Sequence, residues 1–366
     1  MTTSPAAAPT PASSPWGSRL NAVLAGAAPS IIALLAAVLL FGLFCFSQGA
    51  SPLAVFASIN KAAFGSWYSW QNTLVRAAPI LLAALCTALP ARTGLFVIGN
   101  EGALVLGGLG AVLAGLATQT LSPVLALLLM ALAGGTAGGL WIMAAGALHH
   151  YRGVNPTILT LLMNYVAIAL LDHVVEGPLR DPASLNKPSS RALVDSHLLA
   201  NFSGTNIHPG ILIGIVCCLL AWWLFTRTPF GFASSVVGGN PRAAALSGLP
   251  VARIVLTATF LGGAAAGLAG MIEVAAVHGR ANDSLHVGYG YAGFLVSFVA
   301  RHHPLGLIPV SLLLGGLLAS GGILQRTHHL SDATILVFQG IVFLCILFSE
   351  SLRGRLPGLR GVVTKS

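Results

Sequence analysis

Charge is what this sequence has least of. Of its 366 residues only 7% are Asp, Glu, Lys or Arg, with 9 acids against 18 bases. A soluble body of that size needs a far more charged exterior, so a water-soluble globular domain is excluded. Lysine is scarcest: Lys61, Lys187 and Lys365 follow Asn60, Asn186 and Thr364, and no G-K-[ST] phosphate loop exists. No nucleotide cofactor is therefore expected on this chain.

Cysteine is equally uninformative as chemistry. Cys45, Cys86, Cys217, Cys218 and Cys345 all fall inside apolar runs, which excludes a disulfide framework or a zinc site. No G-x-S-x-G and no close pair of carboxylates within the apolar runs points to hydrolysis. The histidine doublets His149–His150, His302–His303 and His328–His329 lack the spacing of about four that puts two ligands on one helix face, so no metal site is expected.

What remains is apolar. The chain is 55% hydrophobic with mean hydropathy +0.85, and it carries 43 glycines and 20 prolines, residues that membrane helices tolerate better than soluble ones. About ten runs approach the ~20 residues that cross a bilayer. They lie near 22–46, 72–90, 95–118, 123–148, 157–175, 209–225, 254–277, 288–300, 305–324 and 333–348. The fold class expected is an all-α polytopic membrane protein. Residues 1–20 read as a disordered cytoplasmic lead, 21–352 as the transmembrane domain and 353–366 as a cytoplasmic tail.

The +9 formal charge reads as membrane orientation and not as nucleic-acid binding. With the N-terminus cytoplasmic, Arg19, Arg92, Arg152, Arg227, Arg242, Arg253, Arg301, Arg353, Arg355, Arg360 and Lys365 fall inside. Outside fall Lys61, Arg180, Lys187, Arg191, Arg280 and Arg326, accompanied by Glu176, Asp181, Asp195, Asp283 and Asp332. The asymmetry favours both termini inside. The second to fifth spans and the seventh to tenth then start on opposite sides, which predicts an inverted repeat with broken helices.

Two connections are long: an outer one, 176–208, and an inner one, 226–253, with three arginines and no acid. In the inner one, after Gly239, Asn240 suits an N-cap, Pro241 the first helical position and Gly248 a helix end, which predicts a short helix through Arg242, Ala243 and Ala244.

Within the spans, Gly134/Gly138 and Gly263/Gly267 have the spacing that lets helix backbones approach closely. Glu101, between Gly99–Asn100 and Gly102, has two readings: a polar element at a helix break lining a pathway, or an anion at a helix N-terminus. Asn72, Arg76, Thr160, Asn164, Gln339 and Ser297 are further candidates for a solute path, or else for helix–helix hydrogen bonds.

Several ordered motifs resemble one family. "RTGLFVIGNEGALVLGG", "GVNPTILTLLMNYVA", "EGPLRDP", "VVGGNPRAAALSGL", "GYGYAGFLVSFVARHHPLG" and "FQGIVFLCILFSE" are similar, in order, to segments of permease subunits of ATP-binding-cassette importers for simple sugars and nucleosides, within the branched-chain-type permease group. Val97, Ala103 and Pro156 depart from that pattern, standing where the family commonly has Asn, Gln and an acid. The resemblance implies a non-enzymatic permease of the bacterial inner membrane, in contact with lipid and importing a nucleoside or simple sugar. It also implies partners: cassette ATPase subunits that use ATP and Mg, a periplasmic or lipid-anchored solute-binding protein, and a second permease in a heterodimer. Gly239 to Ala244 and Gly248 would then be the ATPase-coupling segment. The competing reading from residues alone is an ion-coupled secondary transporter of a small polar solute.

Overall fold

The computed structural model describes residues 32–184, 187–331 and 333–353, with side chains of the last helix described as far as Ser349. The N-terminal lead and all of the tail beyond Arg353 lie outside the described residues. Helices account for nearly everything described. They are α1 (Ile32–Ser47), α2 (Pro52–Phe64), α3 (Trp67–Ala91), α4 (Asn100–Ala117), α5 (Pro123–Arg152), α6 (Pro156–Glu176) and α7 (Gly210–Arg227). There follow α8 (Pro229–Gly239), α9 (Pro241–Leu246), α10 (Val251–Ile272), α11 (Tyr289–Val299), α12 (Pro304–Ala319), α13 (Gly321–His328) and α14 (Ala333–Arg353).

The described parts of the ten predicted apolar runs fall mostly on helices, residues 95–99 excepted, but not as ten full crossings. Seven helical stretches among the described residues are long and apolar enough to span a membrane: α3 to α7, α10 with its extension to His278, and α12 with α13. The run 288–300 is realised as α11, only 11 residues long. At ~1.5 Å per residue it is too short to cross. It stops because Arg301 and His302 adopt positive φ, 53° and 57°.

The chain divides into two compact units. One holds α1 and residues 336–353 of α14, where Phe41 and Phe338 stack with ring centroids 4.2 Å apart. The other, residues 53–335, holds the remaining helices. Its centre is a glycine-mediated crossing of α4, α5 and α10. A Cβ on Gly267 would strike the backbone of Gly134, and one on Gly138 would lie 2.5 Å from the Gly263 carbonyl oxygen. The two small-residue pairs expected from sequence therefore face each other, and a side chain at any of the four would force the helices apart.

One end of this unit gathers arginines from segments far apart in sequence. The Arg92 guanidinium sits 5.3 Å from the centre of the Phe225 ring. Leu95, Ala233, Val237, Ala244, Ile254 and Val255 pack into one cluster there, tying α8 and α9 to the start of α10. Helix α8 was not anticipated. Its Ser234 and Ser235 hydroxyls bond back to the Phe230 and Gly231 carbonyls at 2.7 and 3.0 Å, which lets a serine pair sit inside a helix.

The long outer connection, 176–208, lies along the segment that follows α10. Ser190 N donates to Ala281 O, Leu193 N to Gly279 O and Leu199 N to Ala275 O, at 2.8–2.9 Å. Helix α10 itself continues as a π-helical stretch, Glu273–His278.

Candidate functional site: a brace between two helix N-termini

After α3 the chain does not turn straight into α4. Residues 95–98 run without regular structure into the protein, where unsatisfied backbone groups are costly. Helix α6 supplies the partners from one face, because Thr157, Thr160 and Asn164 recur at helical spacing. Thr157 Oγ1 donates to Phe96 O at 2.9 Å, Ile98 N donates to Thr160 Oγ1 at 3.1 Å and Asn164 Nδ2 donates to Ile98 O at 3.0 Å. Asn164 Oδ1 also accepts from Gly102 N at 2.8 Å, and from α3 Thr87 Oγ1 donates to Val97 O at 2.9 Å. Asn100 closes the set by donating to Ala83 O at 3.0 Å and Thr87 Oγ1 at 2.9 Å.

This brace delivers Glu101 to the start of α11. Gly288 N donates to Glu101 Oε1 at 2.8 Å and Gly290 N to Oε2 at 2.5 Å. Gly288 is left-handed at φ 91°, and a Cβ on Gly290 would collide with Glu101 backbone. Helices α4 and α11 therefore begin at one point and diverge. Gly115 of α4 approaches Leu193 of the outer connection, whereas the end of α11 brings Phe298 and His302 to Phe96. Two helix N-termini carry like partial charge, roughly +0.5 each, and an acid between them offsets that repulsion.

Of the pathway candidates, Gly99, Asn100, Glu101, Gly102 and Asn164 are thus brought together, all buried. Ser297 is not: its Oγ lies 2.9 Å from His302 Nδ1 at the far end of α11. His302 is held low, to about 4, by burial and by the Arg92 charge.

Sequence reasoning did not assemble a second polar group beside this brace. Glu273 and His208 are each 2% exposed. His278 Nε2 lies 3.6 Å from Glu273 Oε2. His208 Nδ1 accepts from Gly210 N at 3.1 Å, and burial pushes the ring below its ordinary pKa. The Val75 carbonyl lies beside that ring, yet Nε2 makes no hydrogen bond of good geometry. The Arg76 guanidinium reaches toward the Tyr289 hydroxyl, and Glu273 and Glu101 both act on that hydroxyl electrostatically. A π-helical stretch between Glu273 and His278 was the local signal, but it is invisible without coordinates.

At the arginine-rich end, α9 forms as expected. Asn240 Oδ1 accepts from Arg242 N and Ala243 N, both at 3.1 Å, Pro241 takes the first helical position and Gly248 is left-handed at φ 80°. Gly239, Asn240, Pro241, Arg242, Ala243 and Gly248 are exposed. One residue departs from expectation. Ala244 was predicted to lie on the coupling surface, but it is fully buried against Val237 and Ile254, because a helix this short must turn one face inward. The prominent side chain is instead Leu246, 91% exposed.

Residues 69–347 match the family model described as branched-chain amino acid transport system / permease component. The chain is 29% identical over 332 residues to the glucose ABC transporter permease protein of Haloferax volcanii, covering 87% of each. It is 28% identical over 299 residues to the guanosine ABC transporter permease protein NupP of Bacillus subtilis, covering 78% of this chain and 83% of the relative. A nucleoside ABC transporter permease protein of Lactococcus lactis, NupB, is 22% identical over 329 residues, covering 86% of this chain and 90% of the relative. These similarities set aside the ion-coupled alternative. The chain belongs to the branched-chain amino acid transport system / permease component family, and it is a multi-pass permease subunit of an ATP-binding-cassette importer in the inner membrane.

Proposed function

We propose that this permease carries a nucleoside or simple sugar inward, powered by ATP hydrolysis in separate cassette ATPase subunits that dock on α9. The observation that carries the docking is the shape of α9. A single capped turn and a half stands clear of the protein, with Leu246 91% exposed at its end, while Ala244 anchors its other face in the cluster on α8 and α10. A leucine so exposed at the arginine-rich end fits an apolar cleft of a partner, and Arg242 beside it fits an acidic rim.

A second permease completes the assembly as a heterodimer, and a solute-binding protein delivers cargo to the face carrying residues 176–208. The four-helix orders α3–α6 and α10, α11, α12–α13, α14 follow each other in the manner of a repeat, and the inversion of one set against the other provides the alternation of access.

The test is co-purification. Leu246→Glu strips the ATPase from the tagged permease in mild detergent, and Asn240→Ala weakens it by removing a cap worth about 1 kcal/mol. Full ATPase recovery with Leu246→Glu overturns the docking surface.

A further inference from the structure

Helix α3 opens with Trp67, Tyr68 and Trp70, 63%, 64% and 39% exposed. Exposed Trp and Tyr at a span end mark the membrane–water interface. Arg76 lies six to nine residues further in, about 9–14 Å at helical rise. It is nonetheless exposed, on the spanning helix that is otherwise the most enclosed, with 78% of its apolar window buried. Around it Thr73, Ala77, Ala78 and Ile80 are fully buried, whereas Leu74 and Val75 beside it, and Asn72 one turn earlier on the same face, are partly open.

A guanidinium at that depth facing hydrocarbon is costly, and intramembrane arginines face protein or water instead. Arg76 does not turn back to the aromatic belt; it reaches toward the Tyr289 hydroxyl at the start of α11. Behind it stand the buried Glu273 and, beside Glu273, the buried His208 with an unpartnered Nε2. The guanidinium therefore has polar groups of its own chain to face, which a side chain turned wholly to lipid lacks.

The charges set the ligand class. Arg76 is a cation at the mouth, and Glu273 and Glu101 are acids behind it. An anion meets two carboxylates, and a cation meets the guanidinium first. A neutral molecule bearing oxygen acceptors suffers neither penalty.

We propose that Asn72 and Arg76 form a solute-contacting wall of the pathway, in which Arg76 donates hydrogen bonds to a carbonyl or hydroxyl oxygen of a neutral solute while Tyr289 positions the guanidinium. This rests on the importer reading above.

Two measurements on the assembled, reconstituted complex test it. In the first, Arg76→Cys is treated with a water-soluble cationic methanethiosulfonate reagent, against the unsubstituted protein as baseline. Labelling at position 76 is expected; no labelling above baseline places the residue against lipid or a sealed subunit contact and overturns the proposal, whatever the solute. In the second, ATP-driven uptake of guanosine, uridine and glucose is compared for wild type, Arg76→Gln and Arg76→Lys. Loss of a hydrogen bond to a charged donor raises KM about ten- to a hundredfold in Arg76→Gln, with partial rescue in Arg76→Lys.

Loss confined to the two nucleosides identifies a base carbonyl as the acceptor, and loss across all transported solutes identifies a sugar hydroxyl. Unchanged KM for every transported solute in Arg76→Gln overturns the contact. So does a fall in the maximal rate alone, shared by Arg76→Lys, because that pattern belongs to a structural role. Wild-type uptake that ignores ATP contradicts the importer reading instead, and leaves the thiol result to decide where Arg76 lies.

Discussion

Glu101 Oε2 and the amide of Gly290 meet at 2.5 Å across 189 residues of sequence, and that bond joins the start of α4 to the start of α11. Removing the carboxylate in Glu101→Ala orphans the buried Gly290 N–H and the part-buried Gly288 N–H and leaves two helix ends facing each other uncompensated. Each buried unsatisfied group costs ~1–3 kcal/mol, so a loss of roughly 2–5 kcal/mol is expected, read as a lowered Tm in detergent. Glu101→Gln keeps one acceptor oxygen and falls between. Wild-type Tm in Glu101→Ala contradicts the brace.

Asn164 uses both ends of its amide, Oδ1 on Gly102 N and Nδ2 on Ile98 O. Asn164→Asp retains the acceptor but sets an anion against a carbonyl, whereas Asn164→Leu loses both bonds. Both variants are expected to lose about 2 kcal/mol or more, with uptake falling alongside Tm. An Asn164→Leu protein as stable as wild type shows that residues 95–99 find other partners.

Gly267, inside α10, and Gly239, the last residue of α8, differ in what they permit. A Cβ on Gly267 meets the backbone of Gly134, whereas one on Gly239 meets nothing within 4 Å. Gly267→Ala is therefore expected to cost ~1–3 kcal/mol by overpacking, and Gly239→Ala to be neutral or mildly stabilising. Equal effects in thermal unfolding contradict the close crossing of α5 and α10.

His302 titrates at about 4 in the fold, against about 6.5 for a free imidazole. The unfolded chain binds the proton first, so stability is unaffected above about pH 6.5 and declines as pH falls from there toward 4. The loss reaches up to about 3 kcal/mol. His302→Asn tolerates the left-handed backbone and has no charge to gain, and it is expected to remove that part of the acid sensitivity. Acid profiles that superimpose for the two proteins count against a buried neutral imidazole.

Much of this architecture was legible because membrane helices announce themselves by length and apolarity. The α9 cap was legible because Asn240, Pro241 and Gly248 each have one dominant local use. The four packing glycines were legible because their spacing has a steric meaning independent of partner. The inward turn of Ala244 was not, since which face of a six-residue helix is buried depends on α8 and α10. Nor was the brace: Thr157, Thr160 and Asn164 form a visible stripe, but nothing local says it serves residues 96–102, more than 60 positions away. The polar group around Arg76 and Glu273 draws on α3, the residues just before α7, the π-helical stretch and α11, and no single stretch of sequence contains it.

The most direct test of the account is mass spectrometry of what accompanies the tagged permease from its native membrane in mild detergent. A cassette ATPase together with a second, non-identical permease is expected to accompany it. Recovery of the chain without any ATPase, under conditions where solute uptake persists, would contradict it.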